Sequence, residues 1–178
     1  MINNKFKNKR VMHIDTSTKL YENKTTGIAY KIIPTRIHKG IILSKKLKKG
    51  LRNKSNKKIN PQIYSIIIYY LIKEDMEKFD ILVICADERY KLVKKYLDIL
   101  FRNNLEYHNK KIMSIGELRQ MSGNKKIKSY ADSIANSYRK RGPKSIKRRQ
   151  VGIDLNIIKI QLKDIILKLN EIISVSRE

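Results

Sequence analysis

Six consecutive apolar residues, Ile81 to Ala86, stop abruptly on two carboxylates, Asp87 and Glu88, within the stretch FDILVICADERYKLVKKYLDIL. The run is rich in β-branched residues and does not alternate. A strand with one wet face alternates, so an unbroken run belongs to a central strand buried on both faces, with helices above and below the sheet. Tyr90, Val93, Leu97 and Leu100 then recur at helical spacing. The two acids therefore stand at the carboxyl end of a buried strand, where open α/β sheets place their ligands. The same position also suits Asp87 as the N-cap of the helix that follows, and the run alone leaves both roles open.

Three strand-like runs precede it, at 10–15, 26–34 and 38–44, with turns carrying Asn23, Gly27, Pro34 and Gly40. Short turns of this kind make an antiparallel meander. Residues 45–58 hold eight basic residues and no acid and read as a loop bristling with lysines. Asn60 and Pro61 open a helix over 60–78, apolar all round and hence buried. A strand at 79–86, a helix at 88–102, a strand at 110–118 and a helix at 129–140 follow. After a basic stretch at 139–149 comes a helix over 153–174, with Leu155, Ile158, Leu162, Ile165, Leu169 and Ile172 spaced by three and four. That seam either docks on the domain or pairs with a second copy as a homodimer. The expected organisation is a basic disordered arm at 1–10, one domain at 11–140, and a basic linker with an amphipathic C-terminal helix at 141–178. The order β-β-β-α-β-α-β-α predicts an α/β domain: a mixed five-stranded sheet with helices on its faces.

The 178 residues carry 41 Lys and Arg against 16 Asp and Glu, a net charge of +25. A surface of this kind attracts polyanions, so nucleic acid is the expected partner. The basic stretches show no amphipathic stripe of the sort that lies on membranes. Ile, Lys and Asn are abundant in the manner of an A/T-rich coding sequence, which accounts for some of the lysine but not for the scarcity of acids. The single cysteine, Cys85, excludes an internal disulfide and reads as a small buried hydrophobe. The longest apolar run, Ile63 to Ile72, is about half of what spans a bilayer, and no apolar segment of the secretory kind follows the N-terminal MINNKFKNKR. A cytoplasmic protein with no membrane partner is the expectation.

Three of the few acids occupy particular places. Asp15 ends the first strand, Asp87 ends the fourth, and Asp132 starts the last helix of the domain. Singly, Asp15 reads as a turn former before Thr16, Ser17 and Thr18, and Asp132 as a solvated helix residue. Jointly they converge if the first and fourth strands are neighbours. Converging carboxylates repel unless a cation lies between them. Oxygen donors suit Mg²⁺ or Mn²⁺, and two such ions roughly 4 Å apart support phosphodiester hydrolysis. Lys45, Lys46, Lys48, Lys49 and Arg52 on one side, and Arg139, Arg141, Lys147 and Arg148 on the other, are candidate phosphate contacts. Tyr64, Tyr90, Tyr130 and Tyr138 are candidates for sugar or base stacking or for core, and His13 reads as a structural histidine.

These motifs resemble the ribonuclease H-like superfamily, most closely its type 1 ribonuclease H pattern, over roughly residues 11–140. The first is DTSTKLYENKTTGIAYKII with Asp15, Ser17 and Gly27; the second is ADERYKLVKKY with Asp87 and Tyr90; the third is KSYADSIANSY with Ala131, Asp132 and Ala135. The resemblance implies Asp15, Asp87 and Asp132 as catalytic metal ligands, Mg²⁺ or Mn²⁺ as cofactor, and endonucleolytic cleavage of the RNA strand of RNA–DNA hybrids. It also admits a DNA junction or transposase-type nuclease. Where the pattern has a Glu in the first turn of the first helix, this chain has Gln62, which offers a carbonyl oxygen but no charge. The usual tryptophans are absent as well. The other reading is a non-catalytic nucleic-acid-binding protein, ribosome-associated or architectural, built on the same fold.

Overall fold

The computed structural model describes residues 8–52, 60–85, 89–125, 127–140 and 156–176. Five strands, β1 (Val11–Thr16), β2 (Thr26–Ile33), β3 (His38–Leu43), β4 (Ile81–Ile84) and β5 (Lys111–Ser114), form one sheet in the order β3-β2-β1-β4-β5. β2 is antiparallel to both β1 and β3, whereas β4 runs parallel to β1 and to β5. That order and sense are those of a ribonuclease H-like fold.

The unalternated run at β4 is explained by two cores. Leu82 and Ile84 join a large core with Met12, Ile14, Ile28, Tyr30 and Ile32. Ile81, Val83 and Cys85 point the other way, to Met113 and Leu118. The large core is closed by α2 (Asn60–Ile72), α3 (Tyr90–Leu100) and α7 (Leu162–Val175). On the opposite face α5 (Ile115–Ser122) covers β4 and β5, and α6 (Asp132–Lys140) covers β1 to β3. The approach of α6 depends on two glycines. A Cβ on Gly27 would fall on the Ala135 carbonyl and 2.7 Å from the Arg139 nitrogen, and one on Gly40 would lie 2.7 Å from the Tyr138 ring.

Several sequence expectations are corrected. Residues 45–52 are not loop but helix α1 (Lys45–Arg52), capped by the Ser44 hydroxyl accepting the Leu47 N–H at 3.1 Å. Its turns direct Leu47, Lys48 and Leu51 inward and Lys45, Lys46 and Lys49 outward, an amphipathic pattern hidden by the uniformly basic composition. Lys48 is therefore not a phosphate contact. It is 4% exposed, and its ammonium donates to the carbonyls of Lys24 at 2.9 Å and Lys19 at 3.4 Å and to Thr26 Oγ1 at 2.8 Å.

α2 ends at Ile72 rather than at 78, in a turn around the buried carboxylate of Asp75. Lys39 and Lys78 each approach Asp75 at 2.6 Å, and the Tyr30 hydroxyl donates to it at 2.6 Å. A short helix, α4 (Leu105–His108), precedes β5. The strand expected at 110–118 stops at Ser114 because Ser114 and Glu117 form a capping box that opens α5, which Gly123 closes at φ 66°. At the N-terminus, Arg10 belongs to the domain rather than to the arm: its guanidinium pairs with Asp80 at 3.1 Å.

The C-terminal helix starts at Leu162, not 153; residues 153–155 lie outside the described residues. Ahead of it the chain runs along the outer edge of β3, with Gly40 donating to the Asn156 carbonyl at 3.1 Å and Ile158 donating to the Gly40 carbonyl at 2.9 Å. This pairing covers part of an otherwise open sheet edge. α7 then buries Ile165, Leu169 and Ile172 in the large core, against α2 and α3. Of the two uses left open for the seam, docking within the chain is the one found. Among the described residues no helix is long and apolar enough to cross a membrane.

Candidate functional site

β1 and β4 are adjacent and parallel, yet the chain leaves β1 towards β2 on one side and β4 towards β5 on the other. The crevice beyond their carboxyl ends is thus the topological switch point of the sheet. A cleft of about 280 Å³ lies there, lined by Asp15, Cys85, Ile115, Arg119, Lys128, Ser129 and Asp132. Asp15 closes β1 half-buried, its Oδ1 accepting the Thr16 N–H at 2.7 Å. Cys85 follows β4. Ile115 and Arg119 come from α5, Lys128 and Ser129 from the segment before α6, and Asp132 from its first turn.

Asp132 is exposed in the first turn of α6, where the helix dipole favours a negative charge. Its Oδ1 accepts from Asn136 Nδ2 at 3.3 Å. Two contacts bring it to Asp15. Gly27 lets α6 descend onto β2, and Ser17 fixes Gly27 by donating its N–H to the Gly27 carbonyl at 2.9 Å while its hydroxyl accepts the Gly27 N–H at 2.8 Å. The Asp15, Ser17, Gly27 and Asp132 motifs are therefore parts of one packing arrangement.

The sequence candidates divide as follows. Asp15 and Asp132 share the cleft. Asp87 and Glu88 lie outside the described residues, two and three positions beyond Cys85. Gln62 is half-buried in the first turn of α2, a helix packed on the other face of the sheet, and does not line the cleft. Lys45, Lys46 and Lys49 are exposed on α1, which leaves the carboxyl end of β3 and so stands at the same end of the sheet as the cleft. Arg139 is half-buried, donating through Nη2 to Asn136 Oδ1 at 3.3 Å. The Arg52 side chain and Arg141, Lys147 and Arg148 lie outside the described residues. Tyr64 and Tyr138 are core, Tyr90 is half-buried and Tyr130 is 41% exposed.

Sequence reasoning missed Arg119 and Lys128. Arg119 was hidden because α5 reads as the end of a strand; the Ser114-x-x-Glu117 box was the available signal. Arg119 Nε donates to the Ile127 carbonyl at 2.8 Å and ties α5 to the segment that leads into α6.

The electrostatics narrow what the cleft can do. Burial pushes the Cys85 thiol up to about 12, a rise that Asp15 and Asp132 reinforce and that a hydrogen bond with Ser129 and the charge of Arg119 partly offset. The free thiol is therefore protonated at neutral pH and offers no nucleophilic thiolate. His13, two residues before Asp15, is fully buried, and neither ring nitrogen has a hydrogen-bond partner among the described residues. Burial lowers its pKa to about 4, so the ring is neutral.

Asp15 and Asp132 supply hard oxygen donors, the chemistry that Mg²⁺ or Mn²⁺ requires. Among the described residues no group of three or more His, Cys, Asp and Glu converges on one point. A larger cleft of about 350 Å³, bordered by Tyr69, Lys73, Glu74, Phe101 and Asn104, lacks paired acids. Its one carboxylate, Glu74, has Lys73 at 3.8 Å. No protein-family model, curated protein or solved structure matches this chain.

Proposed function

We propose that this chain is a metal-dependent nucleic-acid phosphodiesterase of the ribonuclease H-like superfamily, with the RNA strand of an RNA–DNA hybrid as its first candidate substrate. The observation that carries the reading is the meeting of Asp15 and Asp132 in one cleft at the switch point between β1 and β4, in a protein with a net charge of +25. A fold alone does not imply a reaction, so the argument rests on that site. Asp15 and Asp132 would hold Mg²⁺ or Mn²⁺, with Asp87 as the third ligand that the sequence pattern supplies. A bound ion of this kind activates water and stabilises the leaving oxygen. The chain's own part is to keep the two carboxylates at fixed places on β1 and α6 and to attract the polyanion through exposed lysines on α1.

The second reading, a nucleic-acid-binding protein that does not cut, is favoured by Gln62, a neutral residue where the pattern has an acid. Both are tested by incubating end-labelled RNA–DNA hybrid, duplex DNA, single-stranded RNA and a four-way junction with the protein in Mg²⁺ or Mn²⁺. Asp15→Asn and Asp87→Asn run alongside. Cleavage that needs the metal and both aspartates supports the enzyme and identifies the substrate. Salt-sensitive binding to every probe without cleavage sinks the enzyme reading and leaves the binding one.

A further inference from the structure

One wall of the cleft is not acidic. Lys128 and Ser129 lead directly into Tyr130, and Arg119 stands beside them from α5. No ion pair within 4.0 Å joins Arg119 or Lys128 to a carboxylate among the described residues, although both share the cleft with Asp15 and Asp132. Arg and Lys side chains that line a cleft, with no carboxylate at ion-pair distance among the described residues, are placed to contact a phosphate.

Tyr130 is the exposed aromatic next to them in the chain. Its ring meets the buried His13 ring edge-to-face, with centroids 5.0 Å apart and planes at 80°. His13 makes no hydrogen bond among the described residues, and its edge-to-face contact braces the Tyr130 ring. A braced, exposed ring costs little to order and presents a face to a ligand.

The geometry points to a nucleotide grip on this wall, deepening the nucleic-acid reading above on which it rests: Lys128 and Arg119 hold a backbone phosphate, and Tyr130 packs on the sugar or base of the adjoining nucleotide. Tyr130, Lys128 and Arg119 are binding and positioning residues, and none takes part in bond breaking.

The test reads binding alone. Anisotropy of fluorescein-labelled RNA–DNA hybrid and of single-stranded RNA is measured in EDTA, so that a chain unable to cut still gives a result. Tyr130→Leu keeps an apolar cover over His13 but removes the π-face, whereas Tyr130→Phe keeps that face; melting temperatures check that both fold. Tyr130→Leu is expected to weaken binding about tenfold and Tyr130→Phe to retain it. Lys128→Gln is expected to lower the slope of log K against log salt by about one. Loss on both probes reads as packing on the sugar, and loss confined to single strands as base stacking; either supports the grip. Full-strength binding by Tyr130→Leu, or equal loss in the Leu and Phe variants, overturns it while leaving the nuclease reading standing. If the intact protein binds neither probe, the nucleic-acid reading falls with it.

Discussion

Gly27 lies directly under the carbonyl of Ala135, so closely that a single added methyl group would overlap the helix backbone. Through this contact a glycine on β2 decides where α6 rests on the sheet, and hence where Asp132 stands relative to Asp15. Gly27→Ala forces the helix away from β2. Because the obstruction is backbone, no side-chain rotation relieves it, and the expected cost is about 2 kcal/mol. Urea denaturation of the variant measures it. A midpoint equal to that of the intact protein would show that α6 is not held by this contact.

Divalent metal should stabilise the folded state by linkage. At a free concentration 100 times Kd the gain is about 2.7 kcal/mol, which for a chain of this size raises Tm by roughly 5–10 °C. Asp15→Asn and Asp132→Asn are each expected to remove most of that rise. The comparison is a thermal melt with and without Mg²⁺ or Mn²⁺. Should Asp15→Asn melt higher than the intact protein and metal do nothing, the two acids merely repel one another.

Lys48 and Lys49 are adjacent and opposite in role. Lys48→Met leaves three acceptors, on Lys19, Lys24 and Thr26, without their ammonium and is expected to cost about 3 kcal/mol. Lys49→Gln, on the exposed side of α1, should stay within about 0.5 kcal/mol. The order reverses in nucleic-acid binding: Lys49→Gln lowers the salt slope, and Lys48→Met at a temperature where it remains folded does not. Chemical denaturation and a salt titration of binding, run on both variants, make the comparison.

Asp75 governs part of the acid limb of stability. Burial alone would raise its pKa, but hydrogen bonds from Lys39, Lys78 and Tyr30 outweigh burial and hold it below the ordinary 3.8. A carboxyl with a depressed pKa binds fewer protons folded than unfolded. Its contribution is therefore complete above pH 3.8 and is lost as the pH falls below that value towards the folded pKa. Asp75→Asn removes one partner of a buried ionic cluster and is expected to cost about 3 kcal/mol near pH 7, because Lys39 and Lys78 reach water only in part. The variant should also lose less stability than the intact protein as the pH falls below 3.8, where Asp75 begins to take up its proton. Urea midpoints from neutral pH down through that fall test both statements. A parallel acid limb in the two proteins would mean that Asp75 titrates normally.

The antiparallel sense of β1 to β3 and the doubly buried place of β4 were readable from the chain because they follow from local signals; the pairing of β4 with β1, on which the meeting of the acids depends, was not, and only the fold shows it. Short turns allow only antiparallel neighbours for β1 to β3, and the unalternated apolar run at Ile81 to Ile84 can be satisfied only with a core on each side. The buried α2 and the places of Asp15 and Asp132 followed the same way, since each acid sits at the end or start of an element that the pattern marks. What the pattern could not reveal was which side of each basic element meets water. Lys48 and Lys49 are chemically identical, and only the acceptors of Lys19, Lys24 and Thr26, brought in from β2 and the loop before it, make one of them structural. In the same way Arg119 and Lys128 reach the cleft, and Ile165, Leu169 and Ile172 reach the chain's own core rather than a second copy, through contacts between residues far apart in sequence. Local periodicity and turn chemistry act between near neighbours and determine the elements; partners for buried charge and apolar seams come from distant segments, so only the assembled fold decides them.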